Sequence, residues 1–378
     1  MSSITHDIAR DQFMLTGKLA KRGYDWWWHS FTGHHERTGE ERAFFIEFFC
    51  VNPALGGPYP VFGQLPANRA SGMRPSYVMV KAGCWGANAK QLHRFFDWER
   101  VDLGTGVPFH IAADDCLCCE TDLIGQVNVS EADAEAHPEF MCDAGRMAWD
   151  LRVRKQIAFN VGYGASMPLR AAQAFEMYWH AEGMKTAYEG VAVIDGERYL
   201  VDPATCYGYA DKNWGADFTS PWVWLASSNL TSNLTGKRLG NSAFEIGGGR
   251  PKAFGIALER KLLGQLVYEG KPYEFNFSKP WTGSTTRFSA YETELDVVWH
   301  VEQETLFSAL VTDIRCPKSD MLLVNYEAPD GAKRHNRLWN GGTGAGRLLL
   351  FDKLGPSRTL VDDIAVANVG CEYGEYDA

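Results

Sequence analysis

No continuous apolar run in this chain approaches the ~20 residues that a membrane-crossing helix needs; the longest, "AFFIEFFCV" at 43–51, falls far short. Stable membrane insertion is therefore not expected. There is no basic stripe either. The 37 Lys and Arg residues are scattered among 47 Asp and Glu, for a net charge of −10, which argues against nucleic acid and anionic lipid as partners. The opening "MSSITHDIARDQFMLTGKLAKRG" has neither an apolar h-region nor a cleavage site, so a cytoplasmic location is expected and the sequons at Asn128, Asn229 and Asn233 read as incidental. Nine cysteines, an odd number, fit reduced thiols better than a disulfide framework. Cys116, Cys118 and Cys119, with His110 and Asp115 nearby, form one knot and not the two separated ligand pairs of a structural zinc site, so no metal is expected. The Gly-rich "NGGTGAGRLLLF" at 340–351 runs into a strand-like segment where a dinucleotide fingerprint requires a helix. Close backbone packing is the expectation there. No nicotinamide, flavin or P-loop motif occurs, so no cofactor is expected. The G-x-S-x-G nucleophile elbow is missing too.

What the chain has in abundance is flat apolar surface: 13 Trp, 15 Tyr and 21 Phe in 378 residues. These side chains make large cores, or the walls of a pocket for an apolar or aromatic small molecule. A chain longer than ~250–300 residues suggests two domains. Short runs of period-two alternation bounded by Gly, Pro, Asn and Asp recur throughout and predict antiparallel β structure. Two hairpins stand out, "YEGVAVIDGERYLVD" turning at Asp195-Gly196 and "LLGQLVYEGKPYEFNF" turning at Glu269-Gly270. Helices are few: one is expected over 5–19, one over 87–98 ("ANAKQLHRFFDW") and a short one over 130–136 capped by Ser130. The turn-rich "SNLTSNLTGKRLGNS" places the boundary between a domain of residues 1–232 and a second of 233–378. The fold class is mostly β, two antiparallel sandwich or barrel domains with few short helices.

Three stretches set titratable groups among large rings. In "GYDWWWHSFTGHHE", Asp25, Trp27 and His29 share one face of a strand and Trp26 and Trp28 the other. In "MYWHAEGMKT", His180 and Glu182 lie opposite Trp179. In "YGYADKNWGADFTSPWVWLAS", Tyr209, Asp211 and Asn213 alternate on one side, followed by Trp214 and Trp222. A partly desolvated aspartate beside a phenol and indoles has a raised pKa and suits general-acid work. The bland alternative is a turn aspartate beside core aromatics.

"YADKNWG", followed by the W-x-W run of "PWVWLASSN", resembles the tocopherol cyclase-like superfamily, which includes the carotenoid 1,2-hydratases (hydroxyneurosporene synthases) and is similar to fungal lipocalin-like Diels–Alderases. "GYDWWWHSF" resembles the family's N-terminal element, "MAWDLRV" and "GYG" its middle strands, and "NGGTGAGRLLL" with "VGCEYGEY" its C-terminal signature. The likeness covers roughly residues 23–376, with 52–75 and 110–145 unmatched. It implies two lipocalin-like β domains with the ligand held in a cleft or barrel at or near their interface, and chemistry without redox cofactors. It also implies that Asp211 of the Tyr-x-Asp element is the acid, with Tyr209 orienting it and His180 as its proton partner. Two departures concern the substrate: Asp211 stands where tocopherol cyclases tend to carry Glu, and Asp-Trp-Trp-Trp-His replaces Glu-Gly-Trp-Tyr.

The function expected first is a cofactor-independent cyclase or isomerase, an intramolecular lyase. It would protonate a carbon–carbon double bond of an apolar, phenolic or prenylated molecule and form or open an oxygen ring. Asp25, Trp27, His29, Trp179, Glu182, Asn213, Trp214 and Trp222 would line the substrate site. The alternatives are a hydratase or dehydratase using the same acid, and a lipocalin-like carrier that performs no reaction.

Overall fold

A computed structural model describes residues 5–104, 106–162, 167–333 and 335–376. Tyr163 and Gly164 of the "GYG" stretch lie outside the described residues. The first part of the chain forms β1 (Tyr24–His35), β2 (Glu41–Val51), β3 (Tyr77–Cys84), β4 (Lys90–Phe96), β5 (Val101–Leu103), β6 (His110–Ala113), β7 (Cys116–Cys119), β8 (Asp122–Val129), β9 (Gly145–Phe159), β10 (Met177–Ile194), β11 (Glu197–Val201) and β12 (Gly208–Gly215). They make one antiparallel sheet in the order β4-β3-β2-β1-β11-β10-β9-β8-β7-β6-β5, with β12 inserted between β1 and β10. The sheet curls until β4 packs near β8. Its interior is filled by a core that includes Trp27, Phe44, Ile46, Val80, Leu151 and Tyr188.

The second part forms β13 (Trp222–Ser227), β14 (Asn229–Ser232), β15 (Ala243–Gly249), a small ribbon of β16 (Lys252–Ala253) and β17 (Ile256–Ala257), then β18 (Lys261–Tyr268), β19 (Lys271–Phe275), β20 (Thr285–Glu292), β21 (Asp296–Glu304), β22 (Ser308–Pro317), β23 (Leu322–Val324), β24 (His335–Leu354) and β25 (Ser357–Tyr376). Apart from the ribbon they form a second antiparallel sheet, order β19-β18-β15-β13-β25-β24-β22-β21-β20, with β14 on β25 and β23 on β24. The molecule is thus mostly β, with lipocalin-like antiparallel units and, among the described residues, three short α-helices: α1 (Pro66–Ala70), α2 (Glu131–Ala136) and α3 (Met167–Ala171). None of them is long and apolar enough to cross a membrane. The strands change sheet at 216–221, so β13 and β14, which fall in the 1–232 segment of the sequence reading, pair within the second sheet.

Both hairpins form. Asp195 and Gly196 have φ of 48° and 88°, and Glu269 and Gly270 have 44° and 84°, the left-handed pair that a type I′ turn needs. Ser130 caps α2 by accepting from the Asp133 N–H. Two helix expectations are corrected. Residues 90–96 are strand β4, because Leu92 and Phe96, four apart, fit one face of a helix and equally one face of a strand. Of 5–19, only Ile8–Arg10 is helical, as a single 3₁₀ turn. This segment lies across the first core, held by partners outside itself: Trp27 Nε1 donates to the Asp11 carbonyl (2.7 Å) and the Met14 N–H to Asp25 (2.7 Å). The Gly-rich run lies in β24. A Cβ on Gly342 would stand 2.1 Å from Trp85 Cε3, so close packing is what its glycine serves.

A third core lies between the sheets. Trp28, Phe45, Trp85 and Trp179 from the first meet Trp222, Trp224, Leu263 and Leu338 from the second. The seam they form is where the candidate site lies.

Candidate functional site

β1, β10 and β12 lie side by side, so the three aromatic stretches do meet. Their register sorts them onto two faces. Asp211 is paired with Trp28 and Asn213 with Trp26 and Trp179; Lys212 is paired with Trp27 and His180, and Trp214 with Asp25 and Tyr178. Cross-strand partners share a face. Tyr209, Asp211, Asn213, Trp179, Trp26 and Trp28 therefore look into the seam, and Asp25, Trp27, His29, His180, Lys212 and Trp214 look the other way, toward the first sheet's interior.

In the seam, Asp211 Oδ2 accepts from Trp179 Nε1 (2.8 Å) and from the Tyr209 hydroxyl (2.8 Å). Tyr209 Oη also lies within hydrogen-bond reach of Glu245, and Trp224 Nε1 donates to it at 3.2 Å. A phenol has one hydrogen to give. For both carboxyl contacts to be hydrogen bonds, either Asp211 or Glu245 must carry a proton. Electrostatics agree: burial pushes Asp211 up to about 7, against the pull of Trp179 and Tyr209, and burial with the neighbouring Asp211 lifts Glu245 well above the carboxylate range. Asp211 is only 7% exposed. Its Oδ1 has no hydrogen-bond partner.

A third carboxyl, Glu372 on β25, accepts from Trp222 Nε1 (2.5 Å) and Asn340 Nδ2 (2.6 Å), and Asn340 in turn accepts from Trp85 Nε1 (2.8 Å). Burial raises its pKa as well. Glu372 lines a tight pocket of about 20 Å³ whose other walls include Trp26, Met177, Phe218, Trp222 and Tyr326. The space is aromatic, with one carboxyl in its wall. Asp211 does not itself line it; Trp26 does, and lies close enough to Asp211 to oppose its upward shift.

On the opposite face, Lys212 pairs with Asp25, its ammonium 3.7 Å from the centre of the Trp27 ring. His29 Nδ1 meets the Tyr188 hydroxyl (2.8 Å) and its Nε2 lies 3.3 Å from Cys118 Sγ. His180 Nε2 bonds Asn160 (2.8 Å) and its Nδ1 lies 3.0 Å from Asp11 Oδ1, and Glu182 accepts from Lys155 (2.6 Å). Trp214 stacks on Tyr178. The strand thus separates His180 from Asp211, and the expected acid–histidine pairing does not form. Among the described residues one group has metal-ligand spacing, His6, Asp11, Glu120 and Glu182. The Lys155 ammonium stands within 3.3 Å of all three carboxylates and balances their charge.

Sequence reasoning passed over Glu245 and Glu372, along with Glu47, Lys81 and Tyr326. A signal existed for several of them: each sits alone in an apolar strand, as in "FFIEFF", "YVMVKAG" and "AFEIGGG". A lone charge on a strand buried on both faces must find a partner.

No family model matches the chain. It is 36% identical over 121 residues to a probable chloroplastic tocopherol cyclase of Oryza sativa subsp. japonica, a match covering 31% of this chain and 23% of that protein. Two crystal structures align over nearly the full length: a candidate AttH protein of Nitrosomonas europaea (12% identity, 97% of this chain and 98% of that one, TM-score 0.43) and kievitone hydratase from Nectria haematococca (11%, 100% and 98%, TM-score 0.43). At that score neither places any residue. Over that 121-residue segment the chain is similar to a tocopherol cyclase, of whose length the match spans about a quarter.

Proposed function

We propose that the protein is a cyclase or hydratase-type enzyme that protonates a carbon–carbon double bond of an apolar, unsaturated small molecule in the seam between its sheets. The observation that carries this is the Asp211 carboxyl, buried among indoles, bonded by Tyr209 and Trp179, and protonated up to about pH 7. Asp211 gives its proton to one alkene carbon, leaving a cation on the other. The faces of Trp26, Trp222 and Trp179 stabilise that cation. In ring closure a hydroxyl of the substrate adds to the cation, and its proton passes to a seam carboxylate, Asp211 or Glu372. Glu245, through Tyr209, is the neighbour able to return a proton to Asp211. The named activity of the rice relative favours ring closure as the first reading, on a phenolic or prenylated substrate. His180 takes no direct part.

Hydration is the second reading. Asn213 supports it: its Oδ1 accepts from Tyr24 (2.7 Å) while its buried Nδ2 has no partner, a donor able to hold a water oxygen.

Turnover in H₂¹⁸O separates the two. Hydration must place the label in the product, and intramolecular closure must leave it out. A carrier would return its ligand unchanged. Asp211→Asn should lower turnover by ~10²–10⁴, the usual cost of losing a general acid. A loss within threefold, or a far larger loss in Glu372→Gln, would move the acid to Glu372 or dismiss the reading.

A further inference from the structure

The second sheet ends in a tip that turns large apolar side chains to water. Turns at sheet ends are ordinarily built from Gly, Pro, Asn, Asp and Ser. Here the turn between β21 and β22 carries Leu306 and Phe307, the 3₁₀ turn ahead of β20 carries Trp281, and β24 ends on Leu354. They are exposed by 55%, 75%, 74% and 87% in that order. The backbone ties them into one patch: the Leu306 N–H donates to the Thr282 carbonyl (3.0 Å), the Lys353 N–H donates to the Phe307 carbonyl (2.8 Å), and a Cβ on Gly283 would stand 3.0 Å from the Leu306 side chain. The β24–β25 hairpin is exposed without a break over 354–360. It projects past its neighbours, so the patch is convex.

Size and charge narrow what can cover it. Trp281 and Phe307 offer about 200–400 Å² of ring surface, and the two leucines about 100 Å² more. That matches the largest patches that monomers expose, which are often functional. It falls short of the ~800 Å² that each partner of a stable protein complex contributes, and a convex tip has no groove to receive a partner's side chain. Around its base, Arg287, Arg358, Lys271 and Lys279 are each more exposed than the carboxylates they pair with, Glu302, Glu304, Asp352 and Glu274. The charge that reaches outermost here is positive, in a chain whose net charge is −10. Apolar rings at the apex with cations behind them complement a lipid surface, where acyl chains lie beneath phosphates. Indoles settle at that boundary.

We infer that this tip docks on a zwitterionic phospholipid surface, with Trp281, Leu306, Phe307 and Leu354 among the upper acyl chains and the flanking cations at the phosphates. The contact is peripheral and crosses nothing, and the chain's overall negative charge disfavours an anionic surface. An apolar substrate dissolved in the bilayer would be collected there. That consequence rests on the reaction proposed above; the docking does not.

Flotation of the full chain with phosphatidylcholine vesicles tests the docking without any substrate. The parent should float and saturate with lipid. Phe307→Ser and Leu354→Ser, each at an exposed turn outside the cores, should lower the bound-to-free ratio about tenfold, the scale of keeping one large apolar side chain in water. Phe254→Ser is the control: equally exposed, it lies on the β16–β17 ribbon beyond the opposite end of β18 and should bind within twofold of the parent. Asp211→Asn should also bind within twofold, which separates failure of the docking from failure of the acid. The inference is overturned if the parent does not float in excess lipid, if Phe307→Ser and Leu354→Ser float as the parent does, or if Phe254→Ser loses as much. It is also overturned if sedimentation velocity shows a dimer that Phe307→Ser dissolves, since a second copy would then be the occupant.

Discussion

Asp211 ties activity and stability to the same proton. An acid that titrates at about 7 loses its active form above that pH, so kcat/KM should fall about tenfold per pH unit on the alkaline side. Stability follows the same sign. The folded chain holds this proton more tightly than the unfolded one, where the ordinary value is 3.8, so its contribution is full below about 4 and lost as pH rises to about 7. Denaturant titrations of the parent and Asp211→Asn should therefore converge or cross in that window, the parent losing more as pH rises. Glu245→Gln installs a permanent N–H beside Tyr209 Oη, which leaves the Tyr209 hydroxyl to donate to the Asp211 carboxylate and stabilise it. The alkaline limb of the rate profile should then move to lower pH; a limb that stays or moves up would show that Tyr209 does not couple the two carboxyls. The pair at Tyr209 and Asp211 was legible in the sequence because Tyr-x-Asp puts both on one face. Glu245 was not, because it lies 34 residues on in another sheet, joined only through the fold.

Single elements carry the next level of constraint. Three second-sheet glycines seat seam indoles: added Cβ atoms on Gly247, Gly342 and Gly370 would stand 2.8, 2.1 and 2.3 Å from Trp179, Trp85 and Trp224. Gly342→Ala should displace the Trp85 ring and with it the Trp85–Asn340–Glu372 chain, costing about 1–3 kcal/mol as overpacked cores do. Urea denaturation measures this. Trp85→Ala should be cheaper in the Gly342→Ala background than alone, and strict additivity would show that the two do not touch. Hairpins were readable because Asp195-Gly196 and Glu269-Gly270 encode their turns locally. The β4 strand was misread as a helix because Leu92 and Phe96 satisfy both periods, and nothing local tells them apart.

At the scale of the molecule, the sheets share a core. Trp28, Phe45 and Trp85 have their apolar neighbours in Trp224, Leu263 and Leu338, and the Asp211–Tyr209–Glu245 chain crosses between sheets. Such units should unfold together, with tryptophan fluorescence and far-ultraviolet dichroism giving one coincident transition. Two resolved transitions would mean that the seam contributes little to stability. The abundance of β structure was readable from alternation alone. Which faces meet was not, since β12 is buried on both sides and its pattern names no outside.

β1 is a party wall. Trp26 and Trp28 furnish one room, Asp25, Trp27 and His29 the other, and nothing but the parity of residue number decides which. Inserting or deleting one residue between Gly23 and Trp26, with β2 and β12 left in place, would swap the furniture: a lysine-paired aspartate into the seam, two indoles into the barrel. Loops elsewhere can absorb changes of length. This strand can tolerate changes of identity but not of count.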